Sequence, residues 1–285
     1  MVAPFLLLFC VFSAYPIVKS LILAFDKTNG PKSIVPDGMQ NFQFMFQDPD
    51  FYTAVKNTFV YAFFTVILQL PLALFLAILL NQHWLKGRSW LRLAFFSPNL
   101  MGVVFVGVLF SILFQPQYGL VNVVLHALLP VFPLDTKWLT DSHFVMPALV
   151  ATSLWIYTGF NMIYFLAGLQ AVDKDLYEAA MVDGANQWQQ FWNVTWPSIM
   201  PVTTFVLVTA TIGSFQLFEL PWILLGQTTG PDNSGLTMVM YLFVNGFING
   251  DLGYASAVGW TLAVIIMVFG VLQVLLSGTL KGTEA

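Results

Sequence analysis

Residues 57–85 of this chain read NTFVYAFFTVILQLPLALFLAILLNQHWL and contain no Asp, Glu, Lys or Arg. The hydrocarbon core of a bilayer is about 30 Å thick, so a helix that crosses it needs about 20 mostly apolar residues. This stretch is long enough, and it would be apolar on every side of a helix, as a lipid-embedded segment has to be. The sequence therefore predicts a membrane-spanning helix near 59–81.

Similar stretches recur along the 285 residues of the chain. The windows of 18 or more residues without a charge are 1–18, 57–85, 93–134, 142–172, 184–218, 233–250 and 252–280. All but 233–250 hold an apolar run long enough to span a bilayer. We predict an all-α polytopic membrane protein with one domain over 1–285 and six helices near 3–25, 59–81, 94–115, 145–169, 198–224 and 256–277. The short run in 233–250 lies among Asn and Gly residues and predicts an interfacial or re-entrant segment.

The composition excludes several classes of protein. Charged residues make up 8% of the chain and apolar residues 58%, whereas soluble domains carry about 25% charged residues. This excludes a soluble enzyme, a disordered chain and a nucleic-acid-binding protein, which needs a basic face. The single cysteine, Cys10, excludes an intrachain disulfide. His83, His126 and His143 are scattered, so we expect no metal site.

The connection between the fourth and fifth predicted helices, 170–197, concentrates charge in an otherwise uncharged region. Residues 171–197 read AVDKDLYEAAMVDGANQWQQFWNVTWP. Asp175 and Glu178 have the spacing of a capping box, and Asn186 and Gln189 repeat it. Gly184 stands where the first short helix has to end. These features predict a helix, a glycine turn and a second helix across the membrane face, and the alternative is an ordinary solvated loop.

The same connection resembles the EAA loop of ABC importer permeases, in the carbohydrate-uptake branch related to the maltose permeases. The motif is Glu178-Ala-Ala followed by Gly184 and by Pro197 and Pro201. Further matching segments are Asn57-Thr58, AGLQA at 167–171, FWNVTWP at 191–197, TGP at 229–231 and LGYASA at 252–257. Thr229 departs from the pattern, because the family often has Gly there. The resemblance covers nearly the whole chain and implies the six-helix MetI-like fold of type I importers.

The resemblance also implies partners and a coupling site. It implies a second homologous permease subunit, two ATP-binding subunits, an extracytoplasmic solute-binding protein and a sugar substrate. The residues that would contact an ATPase are Glu178, Ala179, Ala180, Asp183, Gly184 and Ala185. The chain itself has no G-x-x-x-x-G-K-[ST] motif to hold ATP phosphates. We therefore expect no enzymatic activity and no cofactor on this chain, with ATP and Mg²⁺ bound by the partner subunits.

Polar residues inside predicted spans are candidates for the substrate path, since they are costly to bury in lipid. Glu219 is the one acid that falls within a predicted span, and Gln216 three residues earlier would share its helical face. Tyr157 and Asn161 share a face of the fourth helix. The resemblance places Asn99, Tyr157, Thr158, Gln216 and Glu219 at or beside sugar-contacting positions. The alternative for each is an interhelical hydrogen bond, which is also the role we expect for Gln69 and Gln273.

Two other functions remain as alternatives at this stage. An ion-coupled secondary transporter would need internal repeats and further ionisable groups in the membrane. A membrane enzyme or scaffold would need a reactive cluster or a large soluble part. For orientation, the basic residues Lys86, Arg88 and Arg92 in the shortest loop favour a cytoplasmic position for that loop. Because the basic residues divide evenly between the two sides, it is mainly the resemblance that implies a multi-pass protein of the bacterial inner membrane with both termini cytoplasmic.

Overall fold

The computed structural model describes residues 2–30, 34–82 and 84–277. The expectations for His83 and for the end of the chain beyond residue 277 lie outside these ranges. The helices are α1 (Ala3–Leu23), α2 (Gln40–Met45), α3 (Pro49–Asn81), α4 (Arg88–Leu100), α5 (Val103–Leu113), α6 (Leu120–Leu128), α7 (Ser142–Ala171), α8 (Lys174–Val182), α9 (Gln187–Phe215), α10 (Glu219–Leu224), α11 (Met238–Ile248) and α12 (Leu252–Leu276). Strands β1 (Asp26–Thr28) and β2 (Ile34–Pro36) form an antiparallel hairpin between α1 and α2.

Five helices, α1, α3, α7, α9 and α12, are long and apolar enough to cross a membrane. The consecutive helices α4 and α5 meet the same criteria as a pair but are bent by 97°. The architecture is therefore the expected all-α bundle, with five continuous candidate spans and one sharply bent helix pair among the described residues.

The expected third helix, 94–115, is not continuous, which corrects the prediction. α4 ends at Leu100 and α5 begins at Val103, on either side of Gly102. Gly102 has a φ of 76°, a left-handed conformation that a right-handed helix cannot include. Pro98 in the last turn of α4 also removes a helical hydrogen bond.

The expected fifth helix, 198–224, is also wrong at both ends. α9 begins at Gln187 and ends at Phe215, and α10 starts separately at Glu219. A continuous helix would put Pro221 where the amide donor to the Leu217 carbonyl is needed, and proline has none. That carbonyl instead accepts a hydrogen bond from the Thr237 hydroxyl at 2.7 Å. The break is therefore stabilised by a contact from a distant part of the chain.

Several helices begin earlier in the chain than predicted, because a capping side chain precedes each of them. α3 begins ahead of the predicted residue 59, because the Asp48 carboxylate accepts the Asp50 amide at 2.8 Å and Pro49 fits the first helical position. Asp141 caps α7 in the same way through the His143 amide at 3.0 Å. Accepting that hydrogen bond lowers the pKa of the exposed Asp141 carboxyl. Asp251 caps α12 through the Tyr254 amide.

Hydrogen bonds gather the β-hairpin and the starts of α3 and α12 at one end of the bundle, the hairpin end. The Asn41 side chain donates to the carbonyls of Ala24 and Asp26. The Thr28 hydroxyl donates to the Asp251 carboxylate at 3.1 Å. At the opposite end, the loop end, the Arg92 guanidinium donates to the Leu80 carbonyl near the end of α3. The charged connection that contains α8 also lies at the loop end, beside the end of α3.

Residues 233–250 do not form a span. They contain the short helix α11, whose Met238, Met240 and Tyr241 are buried. The Asn57-Thr58 pair of α3 holds this segment. The Asn57 amide donates to the Asn233 and Leu236 carbonyls, and the Thr58 hydroxyl accepts the Met238 amide. The interfacial or re-entrant position of 233–250 stays a prediction.

Candidate functional site

A cavity of about 490 Å³ lies between α3, α7, α9 and the break before α10. Its lining is Tyr61, Thr65, Gln69, Val103, Tyr157, Phe160, Asn161, Thr209, Ala210, Gly213, Ser214, Gln216, Leu217, Phe218, Glu219 and Leu220. The volume falls in the range of about 300–1,000 Å³ that is usual for small-molecule sites. The lining combines amides, hydroxyls and aromatic rings with one carboxylate, and it includes no Lys or Arg.

Four of the sequence-predicted residues meet in this cavity: Tyr157, Asn161, Gln216 and Glu219. The structure corrects how two of them come together. Gln216 follows the end of α9 and Glu219 opens α10, so the two side chains are joined by an irregular turn and not by one helical face. The break thereby exposes both side chains to the cavity.

The other two predicted residues lie elsewhere. Asn99 lies on α4, just before the bend, and does not line the cavity. Thr158 is buried on α7 beside Tyr157, but it is not part of the lining either. Its hydroxyl has no hydrogen-bond partner among the described residues. The place of both residues on the substrate path, which the resemblance implies, stays a prediction.

Sequence reasoning missed the contribution of α3. Tyr61, Thr65 and Gln69 are spaced four residues apart and form a polar row along one side of an otherwise apolar helix. Gln69 is 3% exposed and had been assigned to helix packing. The Tyr61 hydroxyl is fixed by Ser153 of α7 at 2.6 Å. The four-residue spacing could have revealed this row in the sequence. Polar residues that only pack against neighbouring helices have no reason to lie on the same face of α3.

The polar side chains of the cavity are available to a solute. Within the part of the chain that the structure describes, the side chains of Gln69, Asn161, Gln216 and Glu219 form no hydrogen bonds. A polar group that is removed from water without a partner costs about 1–3 kcal/mol. These groups therefore have to bind water or a solute in the cavity. By contrast, Gln273, expected to pack helices together, donates to the Thr211 hydroxyl at 2.7 Å.

The connection at the loop end has the helix, turn and helix that its sequence predicts. The cap of α8 is Asp173, whose carboxylate accepts the Asp175 amide, so the expected cap at Asp175 is wrong. At the other end of α8, the Ala185 amide donates to the Ala180 carbonyl at 2.9 Å and the Gly184 amide to the Met181 carbonyl at 3.1 Å. This pair of bonds is the Schellman motif, which requires a left-handed residue.

Gly184 supplies that conformation with a φ of 78°. The chain then enters α9 through a complete capping box, in which Asn186 and Gln189 each accept the backbone amide of the other. We call α8, the Gly184 turn and the first turn of α9 the knuckle, residues 173–190.

The knuckle is joined firmly to the long helix that follows it. The Tyr177 hydroxyl is 2.8 Å from the Thr195 hydroxyl of α9, and the Gln190 side chain donates to the Ala185 carbonyl at 2.9 Å. α9 continues without a chain break to the cavity at Ser214. A displacement of the knuckle would therefore reach the cavity through α9.

The outer surface of the knuckle is exposed and has no ion pair among the described residues. Val182 is 88% exposed and Met181 is 57% exposed. Glu178 and Asp183 are exposed as well, and neither forms an ion pair among the described residues. An exposed apolar tip flanked by carboxylates is typical of a surface that binds another protein. The described residues also contain no group of three or more His, Cys, Asp or Glu side chains that could hold a metal ion.

Comparison with known proteins gives a family match over residues 51–280, to the family described as "Binding-protein-dependent transport system inner membrane component". The chain is 39% identical over 282 residues to the arabinooligosaccharides transport system permease protein AraP of Bacillus subtilis (strain 168), covering 98% of this chain and 88% of that protein. It is 34% identical over 275 residues to the lactose transport system permease protein LacF of Rhizobium radiobacter, covering 95% and 91%.

A solved structure is similar over almost the whole fold. It is the bacterial alginate ABC transporter in complex with alginate pentasaccharide-bound periplasmic protein. One of its chains matches with a TM-score of 0.82 and 26% sequence identity, over 96% of this chain and 91% of that chain. The family match over residues 51–280 spans the residues of both the cavity and the knuckle.

Proposed function

The chain belongs to the family of binding-protein-dependent transport system inner membrane components, and from this we propose that it lines the path of an ATP-driven importer for a neutral sugar or oligosaccharide. It is a permease subunit, and its helices are those of a multi-pass membrane protein. The two relatives named above are permeases for arabinooligosaccharides and lactose. These names support a carbohydrate as the substrate class.

The chemistry of the cavity carries the proposal. Sugars present many hydroxyl groups and apolar ring faces. The amides of Gln69, Asn161 and Gln216 can donate to and accept from hydroxyls, and the rings of Phe160 and Phe218 offer flat apolar surfaces. The lining includes no cation, so a phosphorylated or otherwise strongly anionic solute would find no counter-charge.

The knuckle is the part of the chain that we assign to ATP-dependent coupling. Glu178, Ala179, Ala180, Asp183, Gly184 and Ala185 would enter a cleft on an ATP-binding subunit. The two carboxylates would face basic groups there, and the small alanines would allow close approach. ATP and Mg²⁺ would be held by the ATP-binding subunits and not by this chain. Their closure would push the knuckle, and α9 would transmit the movement to the cavity.

The complete importer would contain a second, homologous permease, two ATP-binding subunits and an extracytoplasmic binding protein. The knuckle would lie in the bacterial cytoplasm with both termini of the chain. The hairpin end would then face the binding protein, which delivers the sugar. The cavity described here would be one half of a path that the second permease completes.

Uptake into proteoliposomes tests this function. The vesicles would carry the assembled transporter, with the binding protein outside and ATP inside, and would be offered labelled lactose, arabinooligosaccharide and an oligouronate. We expect uptake of a neutral sugar that requires ATP hydrolysis and continues when ionophores collapse the ion gradients. Uptake that continues without ATP and stops with the ionophore would instead establish the ion-coupled alternative.

A further inference from the structure

A second cavity, of about 930 Å³, lies at the loop end between the end of α3, the start of α4 and the knuckle. Three basic side chains line it: Arg88, Arg92 and Lys174. No Asp or Glu is part of the described lining. None of the three cations forms an ion pair within the part of the chain that the structure describes. The described lining of this cavity therefore carries three cations and no carboxylate.

Arg92 is only partly hydrogen-bonded among the described residues. One of its terminal nitrogens donates to the Leu80 carbonyl at 2.8 Å, which holds α4 against the end of α3. Its Nε is buried and has no hydrogen-bond partner among the described residues. A buried donor of a charged group is costly to leave unsatisfied. An anion in the cavity would satisfy the group and offset the mutual repulsion of the three cations.

The wall of the cavity on the membrane side has a different character. Phe75 lies on the spanning helix α3 and is 61% exposed, and Trp84 in the following loop is 70% exposed. Tryptophan is enriched at the boundary between hydrocarbon and water. One wall of the cavity is thus an exposed apolar helix surface, and its rim is basic. This combination matches a phospholipid, which has apolar acyl chains and a charged headgroup.

We propose that this cavity binds an anionic phospholipid, with the phosphate at Arg88, Arg92 and Lys174 and an acyl chain along Phe75. Basic pockets between helices at the cytoplasmic surface are suited to phospholipid headgroups. Because Lys174 belongs to α8, the bound lipid would contact the knuckle directly. The lipid would link the position of the knuckle to the end of α3.

Native mass spectrometry of the assembled transporter tests the proposal. The complex would be equilibrated with phosphatidylglycerol or with phosphatidylcholine before measurement. We expect the complex to retain phosphatidylglycerol in preference to phosphatidylcholine. Arg88→Gln and Lys174→Gln each remove one cation, and each should lower the amount of retained phosphatidylglycerol about fivefold. Lys86→Gln is the matched control, because Lys86 is an exposed cation of the same loop that does not line the cavity.

Three results would overturn the proposal. One is equal retention of phosphatidylglycerol by the wild-type complex and the Arg88→Gln and Lys174→Gln variants. Another is displacement of the lipid by millimolar inorganic phosphate, which would identify a site for free phosphate. The third is loss of the ATP-binding subunits from these variants whichever lipid is present, which would identify a protein carboxylate as the anion. Arg92 is left unchanged because its contact with Leu80 also stabilises the fold.

Discussion

The polar side chains within the spans divide into two groups that have different physical roles. Hydroxyls such as those of Thr152 and Thr204 donate to the carbonyl four residues earlier in their own helix, at 2.8 and 3.0 Å. Such residues are satisfied locally and need no partner. The amide side chains of Gln69 and Asn161 form no such hydrogen bond to their own helix. They face the cavity instead. The cavity side chains are therefore the ones whose replacement should change transport more than folding.

Replacement of Gln69 by leucine should lower sugar uptake with little loss of transporter. Leucine has a similar volume but cannot bond to a hydroxyl, and one hydrogen bond contributes about 1 kcal/mol, or about a fivefold change. The measurement is initial uptake in proteoliposomes at equal amounts of transporter. Gln273→Leu is the matched control, because Gln273 bonds to Thr211 between α12 and α9. An equal effect of the two changes on uptake would contradict a substrate role for Gln69.

The residues of the cavity were predictable to different degrees. Glu219 and Gln216 were found because an acid and an amide stand out in an uncharged sequence. Gln69 stands out as much, but its role depends on which helices face it, and that depends on tertiary packing. Asn99 and Thr158 lie outside this cavity, and their place on the substrate path stays a prediction.

At the scale of elements, the knuckle depends on one backbone conformation. Gly184→Pro should abolish coupling, because proline fixes φ near −65° and has no amide hydrogen, whereas the turn needs a φ of 78° and a bond from that amide. The local cost includes the lost Gly184 amide hydrogen bond, about 1 kcal/mol, and the strain of a φ that proline cannot adopt. We expect normal membrane insertion, but ATP hydrolysis that no longer drives uptake. Both rates would be measured on the same vesicles.

Two further variants separate conformation from contact. Gly38→Pro, at another exposed glycine with a positive φ of 63° and at the hairpin end, should leave coupling intact. Glu178→Lys keeps the turn and reverses one exposed charge, and should also uncouple ATP hydrolysis from uptake. Wild-type uptake by either the Gly184→Pro or the Glu178→Lys transporter would contradict the coupling role of the knuckle.

The helix bounds show what a sequence reveals about elements. The helix, glycine turn and second helix of the knuckle were predicted correctly from Gly184 and the Asn186–Gln189 spacing, whereas the cap of α8 is Asp173 and not Asp175. The breaks in 94–115 and 198–224 were not predicted, because each window is apolar enough overall to span a bilayer and the few polar residues at the breaks do not by themselves end a helix. Gly102 and Pro221 were visible, but such residues also occur within membrane helices. The contact from Thr237 to the Leu217 carbonyl that accompanies the second break comes from a distant segment.

The crossing of α4 and α7 depends on the absence of a side chain at Gly159. A Cβ at this position would lie 1.8 Å from the Phe95 carbonyl oxygen, which is backbone and cannot turn away. Gly159→Ala should therefore separate the two helices and destabilise the protein by more than about 3 kcal/mol. The thermal unfolding temperature in detergent would measure this. Gly270→Ala is the matched control, since a Cβ there meets nothing within 4 Å, and an equal loss in both variants would contradict the prediction.

At the scale of the whole molecule, the few charges mark the two ends of the bundle. The loop end carries Arg88, Arg92 and the charged knuckle, and the hairpin end carries the carboxylates Asp48 and Asp251. The cavity with Glu219 lies between them. Sequence charge alone did not fix the orientation, because the basic residues divide almost evenly between the two sides. The position of the basic cavity at the loop end adds a structural reason for placing that end in the cytoplasm.

Cysteine labelling tests this orientation for the whole chain. Cys10 is the only cysteine, so Cys10→Ser gives a chain without cysteine. Val131→Cys and Val182→Cys can then each be introduced into that chain. Val131 is 97% exposed in the connection before α7, and Val182 is 88% exposed in the knuckle. In intact spheroplasts, a membrane-impermeant maleimide should label the cysteine at 131 and not the one at 182, while inverted vesicles stripped of the ATP-binding subunits should give the opposite pattern. Labelling of the cysteine at 182 from outside would place the knuckle away from the compartment that supplies ATP, and the proposed coupling would fail with it.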